Sequence, residues 1–187
     1  MSSHEKVPIL PGKTVFWVMV GLAVAVLLIA LVWSAQDRKD WEASLAYYPD
    51  IQQAIAEGDY ERGLELLNSM SPGYRESSYS QLLIGSCYAG MAEQVKLEEQ
   101  ENDQLQEYLQ LAKTHLIQAR NKNFHLIDSQ GYVNGYARIL MDLGEYEAAY
   151  QYFLQSIKLD TYPEFTSYAQ SQLQMIPALM GEGDGDE

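Results

Sequence analysis

Between Lys13 and Asp37 the chain carries 23 consecutive residues, 14 to 36, without a charged side chain. A run of 18 or more such residues is the pattern of a membrane-spanning helix, whereas buried core helices need shorter ones. Thr14 to Ser34 reads TVFWVMVGLAVAVLLIALVWS. At about 1.5 Å per residue these 21 residues extend roughly 32 Å, close to a bilayer's hydrocarbon thickness of about 30 Å. Trp17 and Trp33 stand near the two ends, where indole rings favour the interface. A cleaved signal peptide fits poorly. Trp33-Ser34-Ala35 puts a large ring where cleavage needs a small residue, and the run exceeds a usual signal h-region. The expectation is a tail over 1–13, a transmembrane helix over 14–35 and a linker or helix extension over 36–46.

Orientation follows from layout rather than charge. Lys6 and Lys13 on one side balance Arg38 and Lys39 on the other. A short tail before a single early apolar helix is the layout of a signal anchor, with the amino terminus inside and the following domain translocated.

The 187 residues carry a formal net charge of −14, and residues 36–187 hold 10 basic against 25 acidic side chains. Phosphate recognition needs clustered Lys and Arg, so no nucleic-acid partner is expected. A domain lying flat on anionic lipid is excluded by the same sign of charge. One cysteine, Cys87, can form neither an internal disulfide nor a zinc site built on cysteine pairs.

From Tyr47 onward the pattern is helical, with Gly or Pro punctuating apolar stripes of helical period. Pro49 suits a first helical turn, and Ile51, Ala54 and Ile55 form a stripe that Gly58-Asp59 breaks. Tyr60, Leu64 and Leu67 restart it. Further helices are expected over Tyr79–Met91, up to Arg120, Ser129–Leu143, Tyr146–Leu159 and Glu164–Ile176. The fold class is therefore all-α, with a domain over 47–177 and a disordered acidic tail over 178–187.

Two breaks match. Ala54…Gly58-Asp59-Tyr60…Leu64…Leu67 has the form of Leu140…Gly144-Glu145-Tyr146…Ala149…Phe153. Between them, Leu83-Ile84-Gly85-Ser86-Cys87-Tyr88 has the form of an L-G-x-x-Y helix core. Aligning on that Gly makes Ile51, Gly85 and Ala137 equivalent, with a first spacing of 34 residues. The domain thus resembles the tetratricopeptide repeat, a helix-turn-helix unit of period 34. The second spacing is 52, and the excess falls in the acidic, Gln-rich stretch near 93–107, expected to lengthen the second helix of the middle repeat and its loop. The resemblance implies about three helical hairpins stacked as a superhelix, Glu164–Ile176 as a capping helix, and a groove lined by each hairpin's first helix. Carried over by position, the groove residues are Leu45, Tyr48, Gln52 and Ile55; then Tyr79, Leu82 and Ser86; then Asn134, Arg138 and Met141. Asn134 and Arg138 share a helix face. Arg138 offers a planar fork to an acidic or carboxylate-ended peptide, and its competing role is an ordinary pair with Asp142.

Chemistry-bearing residues do not assemble in the sequence. His115 and His125 are ten apart, not at the spacing of a helical metal pair. Cys87 follows Gly85-Ser86 inside an apolar helix, without the strand-turn-helix context of a nucleophile elbow. Gly-Asp-Gly-Asp-Glu at 183–187 lacks calcium-loop spacing. The glycines are read as falling at helix breaks. No catalytic, cofactor-binding or metal residues are assigned, and no cofactor or small-molecule substrate is expected. The reading is a single-pass, membrane-tethered scaffold with a protein or peptide partner, on the outer side of a bacterial plasma membrane in envelope or membrane-complex assembly. The alternatives are a cytosol-facing docking receptor, and an accessory subunit of an enzyme complex or degenerate hydrolase.

Overall fold

A computed structural model describes residues 27–28, 42–43, 45–98 and 103–182 of the chain, and every regular element among them is helical. Two compact units divide the chain, residues 1–45 and 46–187. The run over 14–35 lies outside the described residues except for Leu27 and Leu28, which are helical and exposed. No helix among the described residues is long and apolar enough to cross a membrane.

The second unit opens with α1, helical over 46–57. Helix α1 is already wound before Pro49, so the proline lies inside the helix rather than starting it. Then come α2 (Tyr60–Ser69), the single turn α3 (Pro72–Arg75), α4 (Ser78–Leu97), α5 (Asp103–Lys122), a 3-10 turn (Phe124–Asp128), α6 (Gln130–Asp142), α7 (Tyr146–Leu159) and α8 (Pro163–Glu182).

The turns set the pairing. Gly58 and Gly144 adopt φ of +78° and +75°, a left-handed conformation that glycine enters without a side-chain clash. Each ends its helix with the same two bonds. Asp59 N–H reaches Ala54 O at 2.9 Å and Gly58 N–H reaches Ile55 O at 3.1 Å. Glu145 N–H reaches Leu140 O at 2.8 Å and Gly144 N–H reaches Met141 O at 3.0 Å. This is the Schellman pattern, which satisfies carbonyls at the end of a helix while turning the chain sharply. Asp59 then caps α2 by accepting from Arg62 N–H.

Helix pairs stack in two layers. Tyr48 of α1 meets Ser80 of α4 through their hydroxyls at 3.0 Å. Asn134 of α6 donates to Phe165 O of α8 at 3.1 Å. Thus α1, α4, α6 and α8 form one layer, and α2, α5 and α7 the other. In that other layer, α5 is tied to α7 by Lys113–Glu145 at 2.5 Å and by Arg120 donating to Tyr152 Oη at 2.9 Å. The core has two parts. Ile51, Leu67, Ile84 and Cys87 join α1, α2 and α4. Leu109, Leu116, Val133, Leu140, Phe153 and Ile176 anchor the larger cluster between α4 and α8. Helix α4 serves both parts, which is why it is apolar on more than one face.

Small residues permit the close approaches. A side chain at Gly85 would come within 2.9 Å of Leu116 on α5, and one at Gly63 within 3.1 Å of Cys87 Sγ. At Gly90 it would overlap the Tyr60 ring, at 2.2 Å. The glycines are therefore not confined to helix breaks: Gly63, Gly85, Gly90, Gly131 and Gly135 all lie inside helices.

Two further boundaries differ from expectation. The added residues near 93–107 lengthen α4 as well as α5, each of 20 residues against 13 in α6 and 14 in α7. The last helix does not stop at Ile176; it carries Pro177 internally and runs through Glu182, leaving 183–187 outside the described residues. The exposed face of α8 is polar at Glu164, Ser167, Gln170, Ser171 and Gln174, and apolar at Met175, Pro177 and Met180.

Ala149 is fully buried, on α7 in the larger cluster. Ala149→Leu should overpack it and destabilise the chain by about 1–3 kcal/mol, read as a lower midpoint in denaturant unfolding.

Candidate functional site

An apolar cleft of about 290 Å³ opens between α4 and α6. Leu82, Ser86 and Ala89 form the α4 wall, Gly131, Gly135 and Ile139 the α6 wall, with Leu116 and Tyr132 below. Helix α6 is buried along most of its length, and Gly135 and Arg138 are its exposed residues. Each interior glycine costs a helix about 0.5–1 kcal/mol relative to alanine, so Gly131 and Gly135 are expensive choices for a central element.

Polar groups on the walls are engaged internally. Ser86 Oγ donates to Leu82 O at 2.9 Å, and Tyr132 Oη donates to Leu116 O at 3.0 Å. Ser129 caps α6 by accepting from Tyr132 N–H. At the carboxyl ends of the two helices stand two ion pairs, Arg138–Glu93 and Lys96–Asp142, the latter at 2.5 Å. Arg138 therefore pairs across to α4 rather than with Asp142, because Glu93 and Lys96 reach over from the extended end of α4.

The residues read from the sequence as a groove separate. Leu82 lines the cleft, and so does Ser86. Tyr79 sits at the α1–α4 seam, where its hydroxyl accepts from Gln52 Nε2 at 2.8 Å and its ring meets Tyr48 edge-on at 5.0 Å. Asn134 is only 4% exposed and turned to the backbone of α8. Its neighbour one turn on, Arg138, faces α4 instead. Met141 packs against the larger core cluster. Gly131, Gly135, Ala89 and Ile139 were not singled out by sequence reasoning. The signal for them was the four-residue spacing of two glycines in a segment with no helix break.

Groups with intrinsic reactivity lie elsewhere. Cys87 is fully buried, and burial pushes its thiol up to about 12, so it remains a neutral thiol. His125 is exposed, 3.6 Å from Asp128. His115 lies half-buried on α5, stacked on Tyr88 with ring centres 5.7 Å apart. Its Nδ1 is 2.7 Å from Gln81 Oε1, while Gln81 Nε2 donates to Arg75 O at 3.0 Å. Since Arg75 O can only accept, the Gln81 amide is fixed in orientation, and Nδ1 of His115 carries the proton. Gln130 plays a similar structural role. Its Nε2 donates to Ser156 O and Thr166 Oγ1, and its Oε1 accepts from Tyr162 N–H, clasping the α7–α8 joint to α6. Among the described residues no group of three or more His, Cys, Asp or Glu side chains is placed to hold a metal ion.

Stacked helix pairs with an open apolar cleft between successive helices of one layer define the class of molecule: an all-α helix-pair domain. No protein-family model matches the chain, and no curated protein matches it.

Two outcomes follow from this geometry. Burial lowers the His115 pKa below its usual 6.5, so the fold favours the neutral ring. That contribution is complete above pH 6.5 and is lost as pH falls through the lowered folded value. The melting temperature should therefore drop on mild acidification, and His115→Gln should flatten the part of that drop nearest pH 6.5. The exposed pair Arg138–Glu93 should contribute about 0.2–1 kcal/mol. Arg138→Glu should lower the melting temperature slightly, and the exchanged double variant Arg138→Glu with Glu93→Arg should recover it.

Proposed function

We propose that this chain is a membrane-tethered scaffold that holds a segment of a partner protein against the layer formed by α1, α4, α6 and α8. The observation that carries the reading is the apolar cleft left open between α4 and α6, helices that begin successive pairs. The resemblance to tetratricopeptide repeats supports the same face, because first helices line the groove in that family. The 23-residue uncharged run supports tethering by a single span, with the domain outside a bacterial plasma membrane and a role in assembling envelope or membrane complexes. Tethering confines the domain to the membrane surface and raises its effective concentration toward neighbours in that membrane. The acidic exterior keeps nucleic acids and anionic headgroups away.

Site-specific photocrosslinking of the full chain in its host membrane tests this reading. A crosslinker at Ser86, on the cleft, should give a discrete adduct with one partner, while one at Gln110, on the opposite layer, should give none. Equal labelling from both sites, or none from Ser86, overturns the scaffold assignment. Protease added to spheroplasts should digest residues 40–187. Protection until the membrane is broken would give the cytosol-facing orientation instead.

A further inference from the structure

The interior glycines of the helices divide by what requires them. Gly63, Gly85 and Gly90 are required by neighbours within the fold, each closer than 3.2 Å to a side chain placed there. Gly135 is different. It has no left-handed φ, and nothing lies within 4 Å of a Cβ built on it. Gly131 would place a Cβ 3.7 Å from the Phe165 ring, an ordinary contact. Alanine at 135 would serve α6 better, by helix propensity and with no clash. The room kept over α6 faces outward, into the cleft.

The chemistry of the cleft selects what enters it. Wall hydroxyls of Ser86 and Tyr132 donate to backbone carbonyls inside the fold. A carboxylate or carbonyl moving in would give up hydrogen bonds to water and find no donor in Ser86 or Tyr132, whose protons are already used. The charges at the end of the cleft cancel in two pairs, Arg138 with Glu93 and Lys96 with Asp142. In a region with 25 acidic and 10 basic side chains, this edge is locally neutral. It neither attracts a carboxylate nor repels one strongly enough to select a cation. Charge complementarity therefore matches an uncharged occupant.

Resting on the scaffold reading, we propose that the α4–α6 cleft docks an uncharged aliphatic segment of the partner protein, with one branched side chain seated over Gly135. Arg138 is then a rim residue held by Glu93 and not the fork that receives a terminal carboxylate.

Binding to the full chain in lipid nanodiscs tests the assignment with three synthetic peptides. One has blocked ends and a Leu-Ile-Val centre flanked by Ser and Gln. The second has the same sequence with a free terminal carboxylate and Glu flanks, and the third has Lys flanks. The blocked, uncharged peptide should bind tightest and shift the amide resonances of Gly131 and Gly135. Gly135→Leu should fill the cleft and weaken that binding by about tenfold, with a melting temperature no lower than the parent. Ser86→Leu, filling from the other wall, should give the same loss. Tightest binding by either charged peptide, no binding by any of the three, or undiminished binding by both filled variants overturns the assignment. If Ser86 crosslinking still traps a partner in such a case, the scaffold reading stands and only the occupant is wrong. If crosslinking fails as well, both fall.

Discussion

The left-handed turn at a single glycine fixes the geometry on which the rest of the helical unit depends. At Gly58 and at Gly144 the chain leaves one helix and enters the next with only two and three residues between them. Such a short connection forces neighbouring helices into side-by-side contact, so the residues facing each other must be small or must interlock. Gly85 lets Leu116 lie against the backbone of α4, and the absent side chain at Gly63 accommodates Cys87. Ala112, Ala119 and Ala149, all fully buried, belong to the same arrangement on α5 and α7. Enlarging any of these would overpack the helix contact it makes.

The two layers divide the work between stability and accessibility. Helices α5 and α7 are joined by Lys113–Glu145 and Arg120–Tyr152, and their exposed faces are largely polar. The other layer is joined by hydrogen bonds at its two outer seams, Tyr48 to Ser80 and Asn134 to the backbone of α8. Only at its middle seam, between α4 and α6, is the joint made by surface ion pairs beside an unfilled space. Gln130 secures the far end by bonding three groups around the α7–α8 joint. The opening thus lies between parts that are each held by their own contacts, which is where a binding surface can exist without weakening the fold.

Local rules made much of the helical unit legible. Glycine followed by an acidic residue and a tyrosine marked both tight turns, because backbone conformation at glycine is a local property. Ile51 and Ala137, set equivalent to Gly85 by alignment, are both fully buried. The cleft was less legible. Leu82 lines the cleft, whereas Asn134 and Arg138, one turn apart, point to different neighbours. Helical spacing gives a shared face; it does not say that a buried amide will seek a free carbonyl on α8 while a guanidinium seeks a carboxylate on α4. Glu93 and Lys96 come into range only because α4 is longer than the repeat spacing implies. That length belongs to the added residues near 93–107, whose division between two helices no local signal fixed. The anchor rests on composition alone, since residues 14–35 fall almost wholly outside those described.

Tyrosines run through the centre of the unit in a manner with an optical consequence. Tyr132 and Tyr136 stack with ring centres 6.0 Å apart, and Tyr136 meets Tyr152 edge-on at 4.9 Å. Burial pushes the Tyr136 hydroxyl up to about 12 and raises those of Tyr132 and Tyr168 as well. All three tryptophans lie at position 41 or earlier, so residues 46–187 absorb and emit through tyrosine. In alkali the phenols of Tyr132, Tyr136 and Tyr168 hold their protons above the usual tyrosine range, because burial disfavours the phenolate. The absorbance of phenolate thus acquires a late component that belongs to the packed interior. The molecule carries, without added dye, a readout of whether its central helices are together.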